Sequence, residues 1–131
     1  MKTITKWKHK HEFESWQEHN SIHLDGSRQH GFSPKALLLA GLGGCSGIDI
    51  VDILGKMRVK FSNFEIDVET TQTEEDPKVF KDIHIIYKIR TDAENKSKVK
   101  KAIDLSLEKY CGVSAMLGKN SPIHYKIEIT S

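Results

Sequence analysis

Residues 33–57 read Ser-Pro-Lys-Ala-Leu-Leu-Leu-Ala-Gly-Leu-Gly-Gly-Cys-Ser-Gly-Ile-Asp-Ile-Val-Asp-Ile-Leu-Gly-Lys-Met. Ser33-Pro34 is a helix start, a hydroxyl at the cap followed by a proline whose missing N–H is no loss in the first turn. Leu37 to Leu42 is apolar on nearly every side, so a helix there must be covered all round, which a second copy of the chain does better than one small domain. From Ser46 to Met57 the apolar residues Ile48, Val51, Ile53 and Leu54 recur at helical spacing. Between these stretches stand Gly41, Gly43 and Gly44. Each glycine costs a helix about 1 kcal/mol relative to alanine, so two readings are open. Either another backbone element packs close against this segment, or the helix breaks at Gly43-Gly44 and restarts near Cys45. In the second case Cys45 would lie in a first turn, where free N–H groups and the helix dipole favour a thiolate.

Strands flank this helix. Residues 2–8 and 11–16 form an expected hairpin carrying Ile4, Trp7, Phe13 and Trp16, with His9-Lys10-His11 at its tip. Ser21 to Asp25 is a third strand, and Ser27 to Phe32 a polar loop. Phe61 to Thr73 alternates, with Phe64, Ile66 and Val68 on one face and Glu65, Asp67 and Glu69 on the other. Glu74-Glu75-Asp76-Pro77 makes the turn into a second long strand, Val79 to Arg90. Asp92 to Tyr110 is an amphipathic helix that Cys111-Gly112 closes. Val113 to Leu117 is a short turn or helix, and Pro122 to Thr130 a last strand. Helices set between groups of strands indicate an α+β protein of one domain, residues 1–131, with antiparallel sheets packed on a long central helix.

Composition narrows the function classes. The 131 residues carry 20 Lys and Arg against 18 Asp and Glu, a formal charge of +2, and this balance calls for neither nucleic acid nor an anionic membrane. Lys96 to Lys101 reads as a solvated helix face. The first residues lack the apolar core of a signal peptide, and Ala36 to Gly44 is short for a membrane span, so the expected location is the cytoplasm. Two cysteines are kept there as thiols. Neither a P-loop nor a GxSxG motif is present.

Seven histidines raise the question of a metal. His9 and His11 share a strand face and His19 and His23 are four apart, yet no third ligand follows in a known spacing, so these are read as exposed hairpin residues and no metal is expected. Asp49 and Asp52, three apart, are read as the wet side of the Cys45 helix. A cysteine on an apolar helix is ordinarily inert packing. Against this, glycines strip bulk from around Cys45, and Cys111 also stands at a helix end, beside Gly112.

Taken together, Ser33-Pro34, the apolar run, Gly43-Gly44-Cys45-Ser46, Ile48-Asp49, Val51 and Ile53-Leu54 resemble the first cysteine motif of OsmC/Ohr proteins. Leu105-Ser106, Glu108-Lys109-Tyr110-Cys111 and Met116-Leu117 resemble the second, in the less characterised branch with GGC and EKYC forms. The resemblance covers nearly the whole chain. It implies the OsmC-like fold as an intertwined homodimer, and a thiol-dependent reductase of organic hydroperoxides. Cys45 matches the peroxidatic cysteine and Cys111 the resolving one, with no cofactor and with a dithiol reductant, lipoyl-type or thioredoxin-like. The alternative within the same fold is a non-peroxidatic binding or redox-sensing protein that holds an apolar small molecule at the dimer interface. The chain departs from the family pattern after Pro34, where Lys35 and Ala36 replace an acid that holds an activating Arg; Arg28 is the nearest arginine.

Overall fold

The computed structural model describes all residues, Met1–Ser131. Its contacts gather into two compact units, Met1–Leu39 and Ala40–Ser131.

The first unit is a three-stranded antiparallel meander of β1 (Ile4–His9), β2 (Glu12–Gln17) and β3 (Asn20–Asp25), followed by the start of helix α1 (Pro34–Lys56). Trp7 pairs with Phe13 and Ile4 with Trp16 across the first hairpin, cross-strand contacts of the kind that stabilise a pleated pair. The register shifts between Trp7 and His9, so His9 lies opposite Glu12 at the hairpin end. After β3 the loop turns back on the sheet. Asp25 N–H donates to Phe32 O at 2.9 Å and Phe32 N–H to His23 O at 3.2 Å. Gly31 permits this close approach, since a Cβ there would lie 2.6 Å from the His23 carbonyl oxygen. The expected cap on α1 is present, Ser33 Oγ accepting from Ala36 N–H at 3.3 Å.

In the second unit the rest of α1 is followed by β4 (Ser62–Gln72), β5 (Phe80–Arg90), α2 (Lys96–Leu105), a π turn (Ser106–Tyr110), α3 (Gly112–Gly118) and β6 (Ile123–Thr130). The alternation read in β5 is the core pattern. Ile83, Ile85, Tyr87 and Ile89 are all buried, together with Leu42, Ile50 and Leu54 of α1 and Val99, Ala102 and Ile103 of α2. Burial of each large aliphatic side chain stabilises by about 1.5–3 kcal/mol.

The α+β class holds, with two findings that refine the detail. The sheets are not antiparallel throughout: β4 and β5 form the expected antiparallel hairpin, but β6 pairs parallel to β5, Ile85 opposite Tyr125 and Tyr87 opposite Ile127. The α2–α3 segment is therefore a crossover connection, which parallel neighbours require. The second finding decides between the two readings of the glycines: α1 runs unbroken from Pro34 to Lys56. Close packing accounts for Gly47, where a Cβ would meet Ile66 Cδ1 at 3.0 Å; at Gly43 a Cβ would touch Val68 Cγ2 at an ordinary 3.5 Å, and at Gly41 and Gly44 it would meet nothing within 4 Å. At 23 residues α1 is longer than the apolar run suggested, and by length and composition alone it could span a bilayer. In this fold it packs Leu42, Ser46, Gly47, Ile50 and Leu54 inward as a core helix.

Candidate active site

Cys45 and Cys111 belong to distant parts of the sequence, and the second unit brings them together. Cys45 lies mid-helix in α1, half-buried; Cys111 is buried at the junction between the π turn and α3. Both are free thiols, and Cys45 is near enough to Cys111 to act on its thiol. The position of Cys45 excludes one of the two open readings. With the helix unbroken it is not in a first turn, so the helix dipole gives its thiolate no support.

Cys111 does stand at a helix end. As N-cap of α3 its Sγ accepts from Ser114 N–H at 3.3 Å. The residue reaches that position through the π turn, whose closing bond runs from Cys111 N–H to Ser106 O at 2.7 Å. A single π turn inserted beside a helix often marks a functional site, because it re-aims the residues around it. Burial raises the Cys111 thiol above its ordinary pKa, and Cys45 acts in the same direction while the Ser114 hydrogen bonds oppose it. Cys111 is thereby held as a thiol.

Beside the sulfurs runs a buried chain of hydroxyls that ends on a carboxylate. Tyr87 OH of β5 and Ser46 Oγ of α1 are 2.7 Å apart. Ser106 Oγ of the π turn lies 3.0 Å from Ser46 Oγ and 3.0 Å from Asp49 Oδ2. Each hydroxyl has one proton to give, and a carboxylate only accepts. The Ser106 hydroxyl is placed to donate to Ser46 Oγ and to Asp49 Oδ2, and its one proton serves one of them at a time. Burial pushes the Tyr87 phenol up to about 12, with its bond to Ser46 acting the other way, and Cys111 and Asp49 among the nearby groups that raise it further. Tyr87 is therefore a neutral donor at physiological pH.

The reading of Asp49 as part of a wet helix face is corrected by this chain; Asp52, by contrast, is exposed. Tyr87 read as an ordinary core residue of a strand, and neither Ser46 nor Ser106 carried a role of its own. The spacing of Cys45, Ser46 and Asp49 was the available signal, since residues three and four apart share a helix face. Arg28 lies in the loop of the first unit, with φ 61°.

The histidines are not scattered. His9 Nε2, His23 Nε2 and His30 Nδ1 lie 2.9, 3.0 and 3.5 Å from the carboxylate oxygens of Glu12. His11 and His19, the other halves of the pairs noted in the sequence, are exposed outside this group.

Comparison with known proteins places this geometry. Residues 25–126 match the family model described as OsmC-like protein. The chain is 34% identical over 113 residues to Protein YhfA of Escherichia coli (strain K12), covering 86% of this chain and 84% of that protein. An OsmC-like protein from Mycoplasma pneumoniae has the same fold, with a TM-score of 0.87 at 16% identity over 99% of this chain and 96% of the other. So has the organic hydroperoxide resistance protein OhrB of Bacillus subtilis, with a TM-score of 0.64 at 16% identity over 98% of this chain and 96% of the other.

Proposed function

We propose that this chain, which belongs to the OsmC-like family, is a two-thiol reductase of organic hydroperoxides. The observation that supports the reading is the proximity of two free thiols, one half-buried and one buried, beside a hydrogen-bonded set of hydroxyls. In the reaction the Cys45 thiolate attacks one peroxide oxygen and breaks the O–O bond. The alkoxide takes a proton and leaves as an alcohol, and Cys45 becomes a sulfenic acid. The Cys111 sulfur, once deprotonated, attacks the Cys45 sulfur, releases water and closes a disulfide. A dithiol of lipoyl or thioredoxin type reduces that disulfide and is itself oxidised. No resident cofactor enters the cycle.

The roles follow from the two environments. Cys45 is the more exposed sulfur and the one a peroxide reaches first. Cys111, held as a thiol by burial, suits the second step better than the first. The departure from the family pattern at Lys35 and Ala36 bears on the peroxidase step and not on the presence of the two thiols.

A homodimer in the cytoplasm completes the proposal. On α1, Ile48 is 67% and Val51 45% exposed, and both line a shallow apolar depression of ≈ 520 Å³ with Gly43, Phe64 and Ile66. A second copy of the chain would cover this face; sedimentation at micromolar concentration should give twice the mass of the 14.9 kDa chain. The same apolar lining supports a second reading, a binding or redox-sensing protein that holds an apolar small molecule at the dimer interface. Turnover separates the two. The first reading requires t-butyl hydroperoxide to be consumed in the presence of dihydrolipoamide or dithiothreitol, and this consumption to be lost in Cys45→Ser. Undiminished turnover in that variant contradicts it. Ligand-dependent stabilisation with no turnover in the wild type favours the second.

A further inference from the structure

A second polar centre lies wholly within the first unit, and the thiol chemistry makes no use of it. Glu12 opens β2 with its side chain only 12% exposed, although a carboxylate at a hairpin end could easily face solvent. Three elements converge on it. His9 comes from the end of β1, His23 from β3 and His30 from the loop after β3. His9 Nε2 and His30 Nδ1 approach the same oxygen, Glu12 Oε2, while His23 Nε2 sits on Oε1.

The loop that delivers His30 is built to do so. Asp25, 1% exposed, accepts from the backbone N–H of Ser27 at 2.8 Å, of Gln29 at 3.3 Å and of His30 at 3.0 Å, and from the Ser27 hydroxyl at 2.6 Å. This fixes the backbone at His30 and leaves Asp25 Oδ2 3.8 Å from His30 Nδ1. Gly31 then lets the chain pass against the His23 carbonyl. Donor atoms of Glu12, Asp25 and His30 all lie within 4.8 Å of one another.

We propose that this cluster is a zinc site, with Glu12, His30 and Asp25 as its core and with His9, whose exposed ring can turn inward, as the fourth ligand. Two imidazoles mixed with two carboxylates suit a borderline ion such as zinc; calcium and magnesium take all-oxygen shells. Zinc binds nitrogen and oxygen at about 2.0–2.2 Å, so its ligand atoms stand roughly 3.3 Å apart in a tetrahedron. The contacts of His9, His23 and His30 with Glu12 already bracket that spacing. Closure would need the exposed His9 and His30 rings to rotate and the Asp25 carboxylate to take up the ion beside its bonds to Ser27, Gln29 and His30, and the ion would replace the imidazole protons that face the Glu12 carboxylate. Bound there, zinc would tie β1, β2, β3 and the Asp25–Phe32 loop together as a structural clamp.

The test uses the full chain as Cys45→Ser/Cys111→Ser, so that sulfur cannot contribute, and titrates it with zinc by calorimetry and with cobalt(II) by visible spectroscopy. The expected result is one equivalent of zinc bound at micromolar affinity or better, and intense d–d bands of a four-coordinate cobalt site with no sulfur charge transfer. His30→Ala, a change of an exposed ring, and Glu12→Gln should each weaken zinc binding by roughly tenfold or more, whereas His19→Ala leaves it unchanged. Circular dichroism of each variant checks that the fold is kept. Absence of zinc binding in the parent, or equal affinity in folded His30→Ala and His19→Ala, overturns the proposal.

Discussion

The thiol corner of the second unit and the Glu12 cluster of the first gather comparable numbers of polar groups, yet they are built on opposite terms. Around Cys111 the polar atoms are buried and neutral. Tyr87, Ser46 and Ser106 are fully buried, and the only carboxylate, Asp49, is half-buried at the end of their chain. Around Glu12 the carboxylates are sheltered but their partners are wet, the His9 and His30 side chains being 60% and 67% exposed. Buried hydrogen bonds act at low dielectric, where an unsatisfied partner is costly. Exposed ion pairs are screened and individually worth little. The first arrangement holds two sulfurs in a fixed polar setting; the second leaves side chains free to rotate onto an incoming ion.

The contrast can be broken first at the sulfurs. Cys45→Ser should abolish peroxide consumption, whereas Cys111→Ser should allow a single equivalent to react and then stop; steady-state and single-turnover assays read the two outcomes. Next in size is the hydroxyl chain. Ser106→Ala takes the Ser106 hydroxyl from Asp49 and from Ser46, which keeps its bond to Tyr87, and should destabilise the fold by about 1–3 kcal/mol in urea unfolding, while also slowing turnover. A smaller effect concerns pH. Because the Cys111 pKa is raised, its contribution to stability is complete below the pKa of an unfolded thiol and is lost as pH rises through the folded value. Alkylation by iodoacetamide, followed by mass spectrometry, should mark Cys45 first and reach Cys111 only at pH above about 8.5, the ordinary thiol value. The smallest effect is expected in the first unit without metal. His9→Ala should change stability by less than about 1 kcal/mol, and added salt should shrink even that. A loss as large as that of Ser106→Ala would erase the distinction between the two regions.

Local patterns in the sequence carried much of this. The Ser33 cap, the alternation of Ile83, Ile85, Tyr87 and Ile89, and the hairpin tip read at His9-Lys10-His11 are short-range features, and the structure agrees with them except that His9 ends β1. What escaped is set by tertiary contacts. The direction of β6 depends on a crossover that no residue of β6 announces, and the close approach of Ile66 to Gly47 exists only once β4 packs on α1. The glycines themselves pointed both ways. Tyr87, Ser46, Ser106 and Asp49 come from three elements and meet only once β5, α1 and the π turn are packed. The histidine cluster was hidden for the same reason. His9, His23 and His30 lack a ligand spacing because the hairpin register and the Asp25-anchored loop, not the sequence interval, bring them to Glu12.

The central claim is that Cys45 and Cys111 act as one redox unit. Its most direct test is mass spectrometry of the reduced protein after one equivalent of an organic hydroperoxide. The account predicts a loss of about 2 Da and a peptide linking Cys45 to Cys111. Oxygen added to Cys45 with no linked peptide, or an unchanged mass, would contradict it.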